Sequence, residues 1–125
     1  MIPDRAALGN DAQVDARNAE VFVTSSATVT TYAMSVYELV VRIILVSTNA
    51  MAVTLPSVAE AKGKLYSICI TTVGSATATI VAKGTDCGHL GTITLTDDED
   101  GVILFSDGRN WWVMATNGLT ATDYD

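Results

Sequence analysis

The groups that carry catalysis and metal binding are scarce in this sequence, which has one histidine and two cysteines among 125 residues. A catalytic site needs a nucleophile with its base, two carboxylates in different environments, or a metal cage. Cys87 and His89 lie close together in a predicted loop, but Cys69 falls in a predicted strand, and zinc sites use several protein ligands. We therefore predict no enzyme, no metal and no cofactor.

Basic residues are also few: 7 lysines and arginines stand against 14 acids, giving a net charge of -7. From Asp86 onwards, Arg109 is the only base among the acids. A protein that follows a phosphate backbone needs a basic stripe, and the three lysines, Lys62, Lys64 and Lys83, are too sparse to supply one. No nucleic-acid partner is predicted.

Long apolar runs are missing as well. The first eleven residues contain no apolar stretch of the roughly 7–15 residues that a secretory signal needs. The longest apolar run, residues 39–46, is interrupted by Arg42 and is far shorter than the about 20 residues that cross a bilayer. We expect a complete chain, made in a cytosol and without a membrane partner. In that compartment two cysteines are more often free thiols than a disulfide.

What the sequence does have is apolar content. Hydrophobic residues make up 49% and charged residues 17%, below the roughly 25% charged residues of typical soluble domains. A chain of this length supports one domain. Low charge with high apolar content indicates that much of its surface is hidden in an assembly.

Threonine, valine, alanine and isoleucine dominate the sequence, the first three recur in alternation, and no convincing amphipathic helix is present. The pattern predicts an all-β fold, an antiparallel β-sandwich or jelly roll of about nine short strands. Residues 65–72 and 77–82 are expected to form a hairpin. We divide the chain into an N-terminal arm (1–19), a β-sandwich domain (20–118) and a polar C-terminal tail (119–125).

The stretch from 101 to 115 is the clearest hairpin, because Asp107-Gly108 can adopt the positive φ of a tight turn between two apolar runs. Loops of two and of four residues both put Val102, Leu104, Trp111 and Val113 on one face, with Ile103, Phe105, Trp112 and Met114 on the other. Both faces are apolar, whereas a sheet with one wetted face alternates apolar with polar residues. We expect a second copy of the chain to cover part of the second face.

Residues 37–46 form the longest predicted strand, with Tyr37, Leu39, Val41, Ile43 and Leu45 on its core face. Its other face is mixed and includes Val40 and Ile44. The candidate trimer-interface or core anchors are Ile103, Phe105, Trp111, Trp112, Met114, Val40 and Ile44.

The sequence also offers a candidate calcium loop and a candidate sugar-stacking site. Residues 96–107 superficially resemble a calcium loop, but Thr96 would be the first ligand and Asp107 the last, so a solvated acidic turn is favoured. Trp111 and Trp112 could stack on sugars, but adjacent strand residues point to opposite sides and cannot form one platform.

Three short segments carry a resemblance: Val53-Thr-Leu-Pro-Ser57, Ala61-Lys-Gly-Lys64, and above all Ser106-Asp-Gly-Arg-Asn-Trp111. Together, over about residues 50–115, they resemble structural proteins of tailed bacteriophages, both capsid decoration (cement) proteins and fibre or spike tips. The resemblance implies a small trimeric β-sandwich that serves the virion without enzymatic activity.

The chain offers too little before its domain for the shaft of a fibre, so a decoration protein is preferred. It would be made in the host cytoplasm and bind the major capsid protein on the outer surface of the capsid. The expected capsid-contacting residues of the arm are Ile2, Pro3, Arg5 and Leu8. The rival hypothesis is a receptor- or carbohydrate-binding tip.

Overall fold

A computed structural model describes residues 19–72, 76–86 and 91–119, and it contains no helix within those residues. No segment there has the helical length and apolar content needed to span a bilayer. The strands are β1 (Glu20–Thr24), β2 (Thr31–Ala33), β3 (Val40–Ile44), β4 (Met51–Thr54), β5 (Leu65–Thr72), β6 (Ala78–Val81), β7 (Ile93–Leu95), β8 (Gly101–Ser106) and β9 (Trp111–Asn117). The all-β prediction and the expected number of strands are confirmed.

The strands form two mixed sheets, one of five strands in the order β1-β3-β5-β8-β9 and one of four in the order β2-β4-β6-β7. Up to β6, each strand lies in the opposite sheet from the one before it. A chain that crosses to the other sheet and back re-enters its first sheet in the same direction. Neighbours among these six strands are therefore parallel, in four strand pairs.

The prediction of a purely antiparallel sandwich or jelly roll is wrong for this first part. The predicted hairpin of residues 65–72 and 77–82 is also wrong, since β5 and β6 lie in different sheets. Alternation shows which side of a strand is buried and carries no information about which strand lies beside it. Among the strands of the described residues, only the pairs β6–β7, β5–β8 and β8–β9 are antiparallel.

One apolar core lies between the sheets, because the inward residues of both belong to a single buried cluster. In β3 and its extension the buried residues are Val41, Ile43 and Leu45, as predicted from their spacing. Tyr37, assigned to that same face, is instead 63% exposed. It lies before β3 begins, where the two-residue period no longer applies.

The 101–115 hairpin forms as predicted, and the structure selects the longer of the two loops. Ser106 pairs with Trp111, and Leu104 pairs with Val113, so residues 107–110 form the loop. A bulge follows: Ile103 pairs with Ala115, which leaves Met114 without a partner on β8. Bulges of this kind bend a strand and increase its local twist.

Some expectations lie outside the described residues: the arm up to residue 18, including Ile2, Pro3, Arg5 and Leu8, and the loop residues Cys87 and His89. Cys69 is a free, half-buried thiol on β5. Leu119, at the start of the predicted tail, packs against the core.

Candidate interaction surface

The five-stranded sheet has one face on the core and one on solvent, and the solvent face is largely apolar. We call it the outer face. Its apolar members are Phe22, Val40, Ile44, Leu65, Cys69, Ile103, Phe105, Trp112 and Ala115, together with Met114 at the bulge. Glu20, Thr24, Arg42, Ser67 and Asn117 are its polar members, and Gly101 has no side chain there.

Strand pairing arranges this face in rows. Leu65, Phe105 and Trp112 lie side by side across three strands, and the next row contains Val40, Ser67, Ile103 and Ala115. Leu65 is 54% exposed and Met114 59%, which is unusual for large apolar side chains. Contiguous exposed apolar patches mark interaction sites far more often than singly exposed residues do.

The predicted anchors divide between the two faces. Trp111 is buried in the core. The other six lie on the outer face: Ile103, Phe105, Trp112, Met114, Val40 and Ile44. The sequence prediction missed Leu65 and Phe22, both more than half exposed. The two-residue period could have identified both. Leu65 has the same parity as Ser67 and Cys69 on β5, and Phe22 has the same parity as Glu20 and Thr24 on β1.

The charged side chains that interrupt this face are paired. The Arg42 guanidinium lies 3.6 Å from a Glu20 carboxylate oxygen, and it sits 5.6 Å from the centre of the Phe22 ring. Both partners of the ion pair are exposed, so the pair adds little to stability. Its consequence is that this part of an acidic protein is locally close to neutral.

The hairpin loop is shaped by Asp107. One carboxylate oxygen accepts hydrogen bonds from the backbone N–H groups of Arg109 (2.8 Å) and Asn110 (2.7 Å), and the other accepts one from Trp112 Nε1 (2.9 Å). The indole N–H bond, followed by the two backbone bonds, lowers the pKa of Asp107 to about 2. The carboxylate therefore links the loop to the tryptophan of the outer face.

Ser106 and Gly108 join the hairpin to the segment around residues 58–63. Buried Ser106 donates its hydroxyl to the Val58 carbonyl at 2.6 Å, and its own carbonyl accepts from the Gly63 N–H at 2.8 Å. Gly108 has φ +93°, and a Cβ there would lie 3.0 Å from Lys62 Cδ. Together with the hydrogen bonds of Asp107, these contacts explain why serine, aspartate and glycine stand at positions 106–108: each helps to fix the conformation of the loop.

On the core side of the hairpin, Trp111 meets Tyr66 edge to face, with ring centres 5.6 Å apart and planes at 70°. The Tyr66 hydroxyl donates to the Val36 carbonyl at 2.7 Å. Trp111 Nε1 has no acceptor among the described residues. Trp111 and Tyr66 are buried and thus unable to stack on a surface sugar, and Trp112, 42% exposed, is the tryptophan that reaches solvent.

A depression of about 270 Å³ opens on the outer face across β5, β8 and β9. Its lining includes Ser67, Cys69, Gly101, Ile103 and Ala115. Gly101 leaves this space because it has no side chain. A Cβ at this position would be tight, since it would lie 3.1 Å from Cys69 Cβ and 3.2 Å from the Ile68 carbonyl oxygen.

The acidic turn before β8 has a structural role for one of its carboxylates. Asp100 is buried and accepts hydrogen bonds from the backbone N–H groups of Thr96 (3.0 Å) and Asp97 (2.9 Å). Within the described part of the chain, no group of three or more histidine, cysteine or acidic side chains is placed to hold a metal ion. The solvated-turn interpretation needs this correction, since Asp100 faces inward.

Comparison with protein-family models, with curated proteins and with solved structures finds no match to this chain.

Proposed function

We propose that this chain is a non-enzymatic structural protein of a tailed-bacteriophage virion, a capsid decoration protein that binds the outer capsid surface as a homotrimer. The observation that carries the proposal is the outer face, where rows of neighbouring apolar side chains are exposed on a small domain. A protein whose task is assembly needs such a surface, whereas turnover needs a convergent set of polar groups.

The hairpin supports the virion part of the proposal through its resemblance to phage structural proteins. Every residue from Ser106 to Gly108 makes a contact that fixes the loop, and Trp111 and Trp112 take opposite sides. A motif of this kind fixes the hairpin loop and leaves one aromatic side chain, Trp112, partly exposed to solvent. Rigid, pre-organised surfaces suit a protein that binds repeatedly around a symmetric shell, because less ordering is required on binding.

A trimeric decoration protein binds the capsid more tightly than a single chain because its three contacts are linked. A trimer that places three weak contacts on neighbouring capsid subunits binds much more tightly than one chain, because the second and third contacts form at high effective concentration. In this scheme the N-terminal arm, with Ile2, Pro3, Arg5 and Leu8, contacts the major capsid protein.

The test mixes purified protein with undecorated capsids and uses cryo-electron microscopy to look for added density. Deleting residues 2–15 is expected to abolish capsid binding and leave the trimer intact in native mass spectrometry. A truncated trimer that decorates capsids normally would overturn the role of the arm. A full-length chain that never binds capsids would overturn the decoration function.

A second candidate, the carbohydrate-binding tip of a tail fibre or spike, is favoured by Trp112. Its indole is partly exposed and is held by Asp107, an arrangement that suits stacking on a pyranose ring. A glycan array probed with the full-length chain and with Trp112→Ala separates the two functions. Glycan binding by the full-length chain that is lost in Trp112→Ala supports the carbohydrate-binding function. An array on which the full-length chain binds no glycan contradicts it.

A further inference from the structure

The last residue of β9, Asn117, is followed by Gly118, and both are exposed. Asn117 is the only one of the five asparagines in the chain that is followed by glycine. Glycine has no Cβ to shield its backbone nitrogen, and asparagine is one of the thermolabile residues. We propose that Asn117 is a site of spontaneous deamidation, and that its modification releases the acidic turn before β8 from the end of β9.

The reaction needs only these two residues and water. The Gly118 backbone nitrogen loses its proton to hydroxide and attacks Cγ of the Asn117 side chain. The new N–Cγ bond closes a cyclic imide, the Cγ–Nδ2 bond breaks, and Nδ2 takes a proton from water and leaves as ammonia. Water then opens the ring at either carbonyl, which gives aspartate or isoaspartate at position 117.

The Gly118 N–H points away from β8. The Ile70 N–H donates to the Asp100 carbonyl at 2.9 Å, so the backbone polar groups of Asp100 face β5 and those of Gly101 face β9. Gly101 pairs with Asn117, whose carbonyl therefore faces β8. Across a planar trans peptide the next N–H points the opposite way, and β9 is at the edge of the sheet among the described strands. The nitrogen can therefore react without breaking a ladder hydrogen bond to β8.

The fold requires glycine at position 118. Gly118 has φ +79°, in the left-handed region, and a Cβ there would overlap the Asp100 carboxylate. That carboxylate is held in place, because its other oxygen accepts hydrogen bonds from the Thr96 and Asp97 N–H groups. Leu119, the next residue, packs against the core. The glycine that makes the preceding asparagine reactive is thus one that the fold needs.

Asn117 also holds the acidic turn. Its Nδ2 donates to the carbonyl of Glu99 at 2.7 Å, and Glu99 has a left-handed φ of 71°, a conformation that persists only where surrounding contacts maintain it. The bond restrains the side chain, so the reaction follows local opening of the strand end. After conversion a carboxylate replaces the donor and adds a negative charge to the acidic residues 97–100. Isoaspartate also lengthens the backbone just before Leu119.

The test incubates the folded, full-length protein in mildly alkaline buffer and follows each asparagine by peptide mapping with mass spectrometry. Asn49 and Asn110, which precede alanine and tryptophan, are the internal controls. We expect Asn117 to convert about tenfold faster than either, or more. Asn117→Gln is the matched variant and should stay unmodified at this position, because its longer side chain keeps an amide but closes a ring much more slowly.

Asn117→Asp reproduces the aspartate product and tests the consequence. It should have a lower urea midpoint than the wild type at neutral pH, and amide hydrogen exchange at residues 97–101 should be faster. Asn49→Asp adds the same charge in the turn after β3 and should change neither. If Asn117 in the folded protein converts no faster than Asn49, the modification site is wrong. If Asn117→Asp is as stable as Asn49→Asp, the release of the turn is wrong. Both results are independent of whether the chain binds capsids.

Discussion

The two faces of the five-stranded sheet are made of similar side chains and have opposite environments. On the core face, Trp111 is 1% exposed and packs on Tyr66, while its neighbour Trp112 on the outer face is 42% exposed. Only the core face has a second sheet against it. Apolar character alone therefore does not decide which face is buried.

The strongest test of this difference exchanges each tryptophan for alanine. Trp111→Ala should lower the free energy of unfolding by about 3–5 kcal/mol, because it leaves a cavity in the core. Trp112→Ala should cost less than about 1 kcal/mol in the dissociated chain. Urea denaturation at low protein concentration measures both. Equal losses at the two positions would show that the outer face is already covered within one chain.

Tyr66→Phe tests the hydrogen bond that the buried Tyr66 hydroxyl donates to the Val36 carbonyl. Removing the hydroxyl leaves the Val36 carbonyl without its donor and should lower the free energy of unfolding by about 1–3 kcal/mol. Tyr37→Phe is the control, because Tyr37 is exposed. The comparison is made by urea denaturation at neutral pH. A variant as stable as the wild type would mean that water satisfies the carbonyl and that the hydroxyl is dispensable.

The same tyrosine gives the core a pH dependence. Burial raises the pKa of Tyr66 to about 12, whereas the phenol of an unfolded chain ionises near pH 10. The protonated, buried phenol of Tyr66 therefore contributes its full share to the free energy of unfolding below about pH 10. That contribution is lost as the pH rises towards 12, because the unfolded chain ionises first. Urea denaturation between these values should show a steeper fall for the wild type than for Tyr66→Phe. Parallel curves would contradict the burial of the phenol.

Gly108→Ala tests the loop that joins β8 and β9. The left-handed φ and the nearby Lys62 side chain should together cost about 1–2 kcal/mol. Arg109→Ala, in the same loop, is the control and should have a small effect. Thermal unfolding followed by circular dichroism gives the difference. No loss in Gly108→Ala would mean that the loop adopts another turn without cost.

The smallest effect on stability is expected from the titration of Asp107. A carboxyl titration by NMR should give its pKa near 2, and Trp112→Phe should raise it, because the indole N–H bond is the largest cause of the shift. Since the folded-state pKa is lowered, the contribution of Asp107 to stability is present above its ordinary pKa and is lost as the pH falls towards 2. An unchanged pKa in the variant would show that the outer tryptophan is not coupled to the loop.

Several features follow from the sequence alone. The period of two placed Val41, Ile43 and Leu45 on the core face, and β5 spans the predicted residues 65–72. The hairpin was predicted because Asp107-Gly108 has local turn chemistry between two apolar runs. These are short-range properties, set by backbone geometry and by the alternation of side chains along a strand.

The arrangement of the strands was decided only by the tertiary structure. Nothing local to residues 65–82 indicates that β5 and β6 lie in different sheets, because alternation is the same for parallel and antiparallel neighbours. Tyr37 and Leu65 became exposed for a related reason: whether an apolar side chain is covered depends on what packs above it. Sequence determined which residues share a face, and packing decided which face became the core.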